Sequence, residues 1–200
     1  MKHRALLLPT VLTVALASAC TSQSSDASHA ATTSAATQPS IAVSVPPAPP
    51  QASQKRDTVD HDPCLKLGDD VVESIGFDPA TRERDDYIFD TYSAIGCKFR
   101  HEEQDQFDLT VTTRNLSVNT SNLTLDEFRS REGDKATPTT VNERDAITYT
   151  DPAAEACYVI ITSKSGTLSV RKSTAIVFSP EKPCDHIQEI AAKIESSMPE

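Results

Sequence analysis

Tryptophan is absent, and glycine is held to five of 200 positions. Glycines so few and scattered leave no loop able to wrap successive backbone N–H groups around a phosphate, so a nucleotide-type glycine turn is excluded. Basic residues are short as well: 19 Lys+Arg face 29 Asp+Glu, a formal charge of −10. That balance argues against broad contact with nucleic acid, where neutralising phosphates needs a basic face. The longest apolar run, Ala5 to Ala17, falls short of the roughly 20 residues that a spanning helix needs. No Gly-x-Ser-x-Gly elbow occurs, and no two cysteines approach the close Cys-x-x-Cys type of zinc-ligand spacing. The remaining size suits one modest domain with no legible catalytic motif.

What is present begins at the N-terminus. Met1-Lys2-His3-Arg4 is a short basic start, followed by the apolar run and then Ser18-Ala19-Cys20, the layout of a secretory signal over residues 1–19. The sequence Leu16-Ala17-Ser18-Ala19-Cys20 resembles the bacterial lipobox, with Ala17 where the usual pattern has Leu. Cys20 is therefore read as the acylation site, since several acyl chains on one cysteine anchor firmly where a single chain is marginal. Plain cleavage after Ala17-Ser18-Ala19 is the competing reading, and it would leave Cys20 as an odd free thiol outside the cytoplasm.

Residues 21–57 follow, of which 25 are Ala, Ser, Pro or Thr and none is aromatic. Such a stretch buries too little apolar surface to offset its ordering entropy, and residues 20–57 read as a lipidated, disordered tether. As a flexible coil it spans about 30 Å, more where Val45-Pro46-Pro47-Ala48-Pro49-Pro50 stiffens.

All ten aromatic residues lie beyond residue 57, which predicts a folded domain over 58–200. Asp62-Pro63 reads as an N-cap and first helical position, with Cys64, Leu67, Val71 and Ile75 at helical spacing, Gly68 a weak point and Gly76 at the end. Alternation then predicts a hairpin: Cys97, Phe99 and His101 share one face, as do Phe107, Leu109, Val111 and Thr113, around a turn at Gln104-Asp105. Thr124 and Glu127 form a capping box for a short helix over 125–132. Strands are predicted at 139–142 and 146–150, in the apolar run Cys157 to Ile161, at 167–172 after a turn at Lys164-Ser165-Gly166, and near 174–178. Cys184, Ile187, Ile190, Ala191 and Ile194 form the apolar stripe of a last helix, with Glu189 and Lys193 one turn apart outside it. The fold class is α+β, an antiparallel sheet flanked by N- and C-terminal helices.

These residues also resemble a family. Asp62-Pro63-Cys64 at a helix start, Gly76-Phe77 at its end, Cys97-Lys98-Phe99, Asn142-Glu143-Arg144-Asp145-Ala146 before a strand, Cys157 in an apolar strand, and Pro183-Cys184 opening a helix that ends at Met198-Pro199 are similar to the actinobacterial lipoprotein family known as domain of unknown function thirty-five fifty-eight. The resemblance covers about residues 60–199. Phe99 stands where the family often has Trp, and Glu143 where it has Gly. The family brings no activity. It implies a surface lipoprotein with a fold similar to the PsbP-type sandwich.

Candidate chemistry is thin. His61, His101 and His186 have no metal-ligand or triad neighbour in sequence, and His101 beside Glu102 and Glu103 reads first as a rim residue. Asp60-His61-Asp62 has the ligands for a cation, but Asp62 already caps a helix. Asp85, Asp86 and Asp90 lack the spacing of a calcium loop, and a solvated face explains them. The sequons at Asn115, Asn119 and Asn122 are chance matches behind a bacterial lipobox. No cofactor or metal is implied. Four cysteines remain, an even number outside the cytoplasm, which predicts two disulfides from three pairings. The stripe positions favour Cys64–Cys97 and Cys157–Cys184, while crossed pairings such as Cys64–Cys184 stay open. The functional expectation is a non-catalytic lipoprotein at the extracytoplasmic face of the cell membrane, with an envelope protein or glycan as partner. Its alternatives are a carrier of an apolar lipid and a hydrolase whose residues converge only in space.

Overall fold

The structure, a computed structural model, describes residues 39–51, 55–175 and 179–198. The signal segment, Cys20 and the tether up to residue 38 lie outside the described residues. The described residues all fall in one compact unit.

Two short helices, α1 (Pro63–Lys66) and α2 (Asp69–Ser74), precede four strands: β1 (Asp78–Arg84), β2 (Tyr87–Ile88), β3 (Ser93–Gln104) and β4 (Thr110–Ser121). Helix α3 (Leu125–Glu132) leads into β5 (Thr137–Val141), β6 (Arg144–Asp151), β7 (Ala156–Ser163) and β8 (Gly166–Thr174), and α4 (Ile187–Ser197) closes the chain. The strands form one open antiparallel sheet in the order β1-β3-β4-β8-β7-β6-β5, with β2 added to the start of β3.

Alternation along each strand sorts the residues into two faces. The inner face carries Leu116 and Val118, Leu168 and Val170, and Cys157, Val159 and Ile161. It packs against Leu67 of the α1–α2 joint, Val72 of α2, and Ile187, Ile190 and Ile194 of α4. Both disulfides belong to this layer: Cys64 is bonded to Cys97 and Cys157 to Cys184, with Cα atoms 5.0 and 5.1 Å apart. That is the pairing the apolar stripes favour. Charge enters this layer as well. Lys172, fully buried, gives its ammonium to Glu181 and to the Asp185 carbonyl, tying the stretch before α4 to the sheet. Burial works against the Glu181 charge, but Lys172 and Arg114 hold its carboxyl below the usual range.

Several expectations are corrected. The single helix predicted from Asp62 to Gly76 is broken, because Gly68 takes an extended conformation and caps α2 afresh. The restart shifts the phase, so that Val72 rather than Val71 is buried. Arg82, itself 3% exposed, fills the break by donating to the Cys64 and Leu67 carbonyls and to Asp69. Phe107 and Leu109, read as strand residues facing the core, sit in the hairpin turn and are 71% and 61% exposed. Thr174 ends β8 rather than opening a further strand, and 176–178 lie outside the described residues. Cys184 precedes α4, and Lys193 donates to the Ser74 carbonyl rather than pairing with Glu189.

The tether boundary moves too. Residues 39–51 lie against the domain: Ser40 accepts from Asp69 N, Ala42 N donates to Asp69, and Val45 packs on the inner core. Arg56 binds the Glu127 carboxylate and the Thr91 and Asn122 carbonyls. Composition alone hid this docking, which rests on a few specific contacts rather than on apolar content.

Candidate functional site

The outer face of the sheet is built differently. One cross-strand row runs Tyr149 on β6, Tyr158 on β7, Arg171 on β8 and Ser117 on β4. The next row holds Ile147, Ile160, Ser169 and Asn119, then Gly96 on β3. Helix α3, started by the Thr124–Glu127 capping box, lays Leu125 and Phe128 over Ile147 and Ile160. The helix is too short to cover the β8–β4 side, where the floor is made of Ser117, Asn119 and Ser169. Pairing of β2 with the start of β3 brings Tyr87 and Tyr92 to the opposite bank. The result is a groove of about 560 Å³, within the range of small-molecule sites. The chain has four tyrosines, and all four line it.

Gly96 permits this floor. A Cβ there would fall 2.1 Å from the Val118 carbonyl oxygen and 2.5 Å from Asn119 Nδ2. The bare position lets the Asn119 amide lie across the strand and donate to the Asp85 carbonyl.

Contacts in the groove fix its chemistry. Tyr149 and Tyr158 stack with centroids 4.6 Å apart and planes at 6°. Arg171 Nε donates to the Tyr158 hydroxyl at 3.0 Å, with the guanidinium 5.7 Å from the same ring. Tyr87 donates to Asp85 Oδ1 at 3.1 Å, while the buried Asp85 Oδ2 meets no donor among the described residues. Asp151 Oδ1 accepts from the Ala153 and Ala154 amides, and Arg131 pairs with Glu132 at 2.8 Å while covering Phe128. Burial, reinforced by the Glu132 charge, pushes the Tyr149 hydroxyl pKa up; burial and Asp85 do the same for Tyr87. Both phenols therefore stay neutral near pH 7, as donors and acceptors rather than nucleophiles. No histidine or cysteine lines the groove. It offers aromatic faces, neutral hydroxyls and amides, and charges at its edges.

Of the residues singled out in sequence, only Asp85 and Asn119 reach this site. Asp86 pairs with Arg84, whose other nitrogen holds Asp62 at 2.6 Å, and the remaining Asp62 oxygen caps α1 through Cys64 N. Asp62 is thus already engaged, and among the described residues no group of three His, Cys, Asp or Glu is arranged to hold a metal ion. The His61 carbonyl accepts from Thr120. His101 Nε2 meets Glu103 at 3.0 Å on a partly exposed strand, where the Thr113 hydroxyl also turns to Glu103 rather than to the imidazole. His186 lies beside Glu189. Asn122 is buried, binding Ser93 N and the Asp57 carbonyl, and Asn115 is half-buried in β4. Sequence reading missed the tyrosines and Arg171. The available signal was phase: Tyr158 falls between the core positions Cys157 and Val159, and Arg171 between Val170 and Lys172, whereas Tyr149, between two threonines, carried no such mark.

The chain matches the family described as "Protein of unknown function (DUF3558)" over residues 15–197, and it belongs to that family. No curated protein and no solved structure matches it. Among the described residues no helix is long and apolar enough to cross a membrane.

Proposed function

We propose that this chain is an actinobacterial lipoprotein, anchored through Cys20 at the extracytoplasmic face of the cell membrane, and that its tyrosine groove binds a glycan of the envelope without chemical turnover. The observation that carries the glycan reading is the gathering of all four tyrosines over a floor of serine and asparagine. A pyranose ring has an apolar C–H face and an edge of hydroxyls. Aromatic faces take the former, and short polar side chains take the latter. Asp85 Oδ2, left without a donor, supports a ligand rich in O–H groups, since a buried acceptor without a partner is costly. The basic start, short apolar run and lipobox-like residues before Cys20 support the anchor. Layering of a single sheet on α1, α2 and α4 supports a PsbP-type sandwich. A lipid carrier draws less support, because the space between sheet and helices is filled by Leu67, Phe99, Val118 and Ile194.

The test is binding of the chain in detergent to an array of envelope oligosaccharides, repeated with Tyr158→Ala. Retention of one glycan class, weakened about tenfold or more by the substitution, is the expected result. Equal retention by both proteins, or retention of no saccharide, overturns the glycan reading. Fractionation of cells carrying Cys20→Ala tests the anchor: the protein should leave the membrane or accumulate as precursor, and unchanged partitioning with a free Cys20 thiol would sink it.

A further inference from the structure

The charge pattern of the groove says more than its shape. Among the described residues nine are arginines, and eight of them reach a carboxylate: Arg56, Arg82, Arg84, Arg100, Arg114, Arg129, Arg131 and Arg144. Arg171 does not. In a chain with an acid excess of ten, this half-buried guanidinium is held on the groove floor with only Nε engaged, by the Tyr158 hydroxyl. A partly desolvated cation without a counter-charge is unfavourable unless something supplies one. Both terminal nitrogens remain to donate, in the planar fork that matches a carboxylate or phosphate.

Two hydroxyls stand beside that fork. Ser117 is the direct cross-strand neighbour of Arg171, and Ser169 lies two residues away on the same face of β8. Both line the groove, and neither side chain hydrogen-bonds to another described residue. The other groove charges do not fill the role: Arg131 is occupied by Glu132, and Lys135 is exposed at the rim. Three carboxylates line the same groove, and each is already donated to: Glu132 by Arg131, Asp151 by the Ala153 and Ala154 amides, and Asp85 by Tyr87; charges farther away are screened beyond about 8 Å at physiological salt.

We propose, building on the glycan reading above, that the groove selects a saccharide bearing an oxyanion, and that this oxyanion seats on Arg171 with Ser117 and Ser169 as supplementary donors. A uronate carboxylate and a phosphodiester present the same chemistry to this fork, and the experiment separates them.

Calorimetric titration of the chain in detergent would use three probes. The first is a hexasaccharide of alternating glucuronate and N-acetylglucosamine, the second is the same hexasaccharide with its carboxylates methyl-esterified, and the third is a glycerol-phosphate oligomer carrying glucose. The acidic hexasaccharide or the phosphodiester should bind about tenfold to a hundredfold more tightly than the ester, the usual reach of a hydrogen bond to a charged group. Arg171→Gln should remove that difference, bringing the acid and the ester to the same affinity. Equal affinity of wild-type protein for acid, ester and phosphodiester overturns the oxyanion proposal while leaving the glycan reading intact. Equal weakening of acid and ester by Arg171→Gln also overturns it, since that marks a merely structural arginine. Binding of none of the three probes, with no saccharide retained on the array, overturns both. Because the acid–ester comparison is made on the wild-type chain, it decides the proposal even if the variant does not fold.

Discussion

Replacing Arg82 with methionine tests the account of the broken helix. Its guanidinium, with a side chain 0% exposed, donates to the Cys64 carbonyl at 3.2 Å, the Leu67 carbonyl at 2.9 Å and Asp69 at 2.6 Å, and it lies 4.9 Å from the Phe99 ring centroid. Methionine keeps much of the stem but none of the donors. Two buried carbonyls at the end of α1 then lose their partner, and Asp69 retains only the Ala42 amide among the donors found for its side chain. Breaking a buried pair from one side costs about 3–5 kcal/mol. For a folded unit of this size about 2–4 °C is lost per kcal/mol, so the midpoint of thermal unfolding should fall by about 10 °C. Circular dichroism with both disulfides intact measures it. A shift under about 3 °C would mean that solvent or neighbouring groups satisfy these carbonyls, and would refute the claim that Arg82 holds the two helices together. An additional Asp69→Asn change should cost less on the Arg82→Met background than on wild type, since the pair is already broken.

Acid should destabilise the domain through specific carboxylates. Glu127, bound by Arg56 and the Thr124 amide, has its pKa lowered to about 2, and Glu181 is also held low. Depressed values contribute stability that is present above the unfolded value of about 4.3 and lost as pH falls through the folded one. The urea midpoint should therefore fall from pH 5 towards pH 2, less steeply in Glu181→Gln; a flat midpoint down to pH 3 would contradict this. The disulfides should reduce in order, Cys157–Cys184 before Cys64–Cys97, because Cys184 is exposed whereas Cys64 and Cys97 are fully buried. Timed alkylation and peptide mapping would reveal the opposite order. Gly96→Ala should lower stability and abolish groove binding together, since its Cβ meets backbone; a stable, fully binding variant counts against the floor described here.

Local signals carried the fold a long way. The Thr124–Glu127 capping box and the Asp62-Pro63 cap appear where the residues place them, because capping depends on neighbours a few positions apart. The strand itself was equally legible in the apolar run from Cys157 to Ile161. The extent of cover was not: Phe107 and Leu109 have the right alternation, but nothing in it shows that the hairpin tip outruns the layer that would bury them. The groove was illegible for a related reason. Tyr87, Tyr149, Tyr158, Arg171 and Ser117 come from five strands, and only the strand order brings them together. A lone serine or arginine on an outward phase carries no local mark of its role.

The positions of the two disulfides determine where the molecule can loosen. Each joins an end of the fold to an interior strand, Cys64 to Cys97 on β3 and Cys184 to Cys157 on β7. Fraying from the termini, ordinarily the opening of lowest free energy, is stopped at both cross-links. The stretch between Cys97 and Cys157 contains α3, the edge strand β5 and β6, and no covalent staple crosses out of its interior. Helix α3 rests on two buried side chains, Leu125 and Phe128, and β5 is an edge strand carrying Pro138. Breathing is thus directed away from the chain ends and into the bank of the groove that carries Phe128, Arg131 and Tyr149. Amide hydrogen exchange should run faster across residues 123–145 than across β4, β7 and β8, so that the element most free to swing aside is the one a long polymer would have to pass beneath.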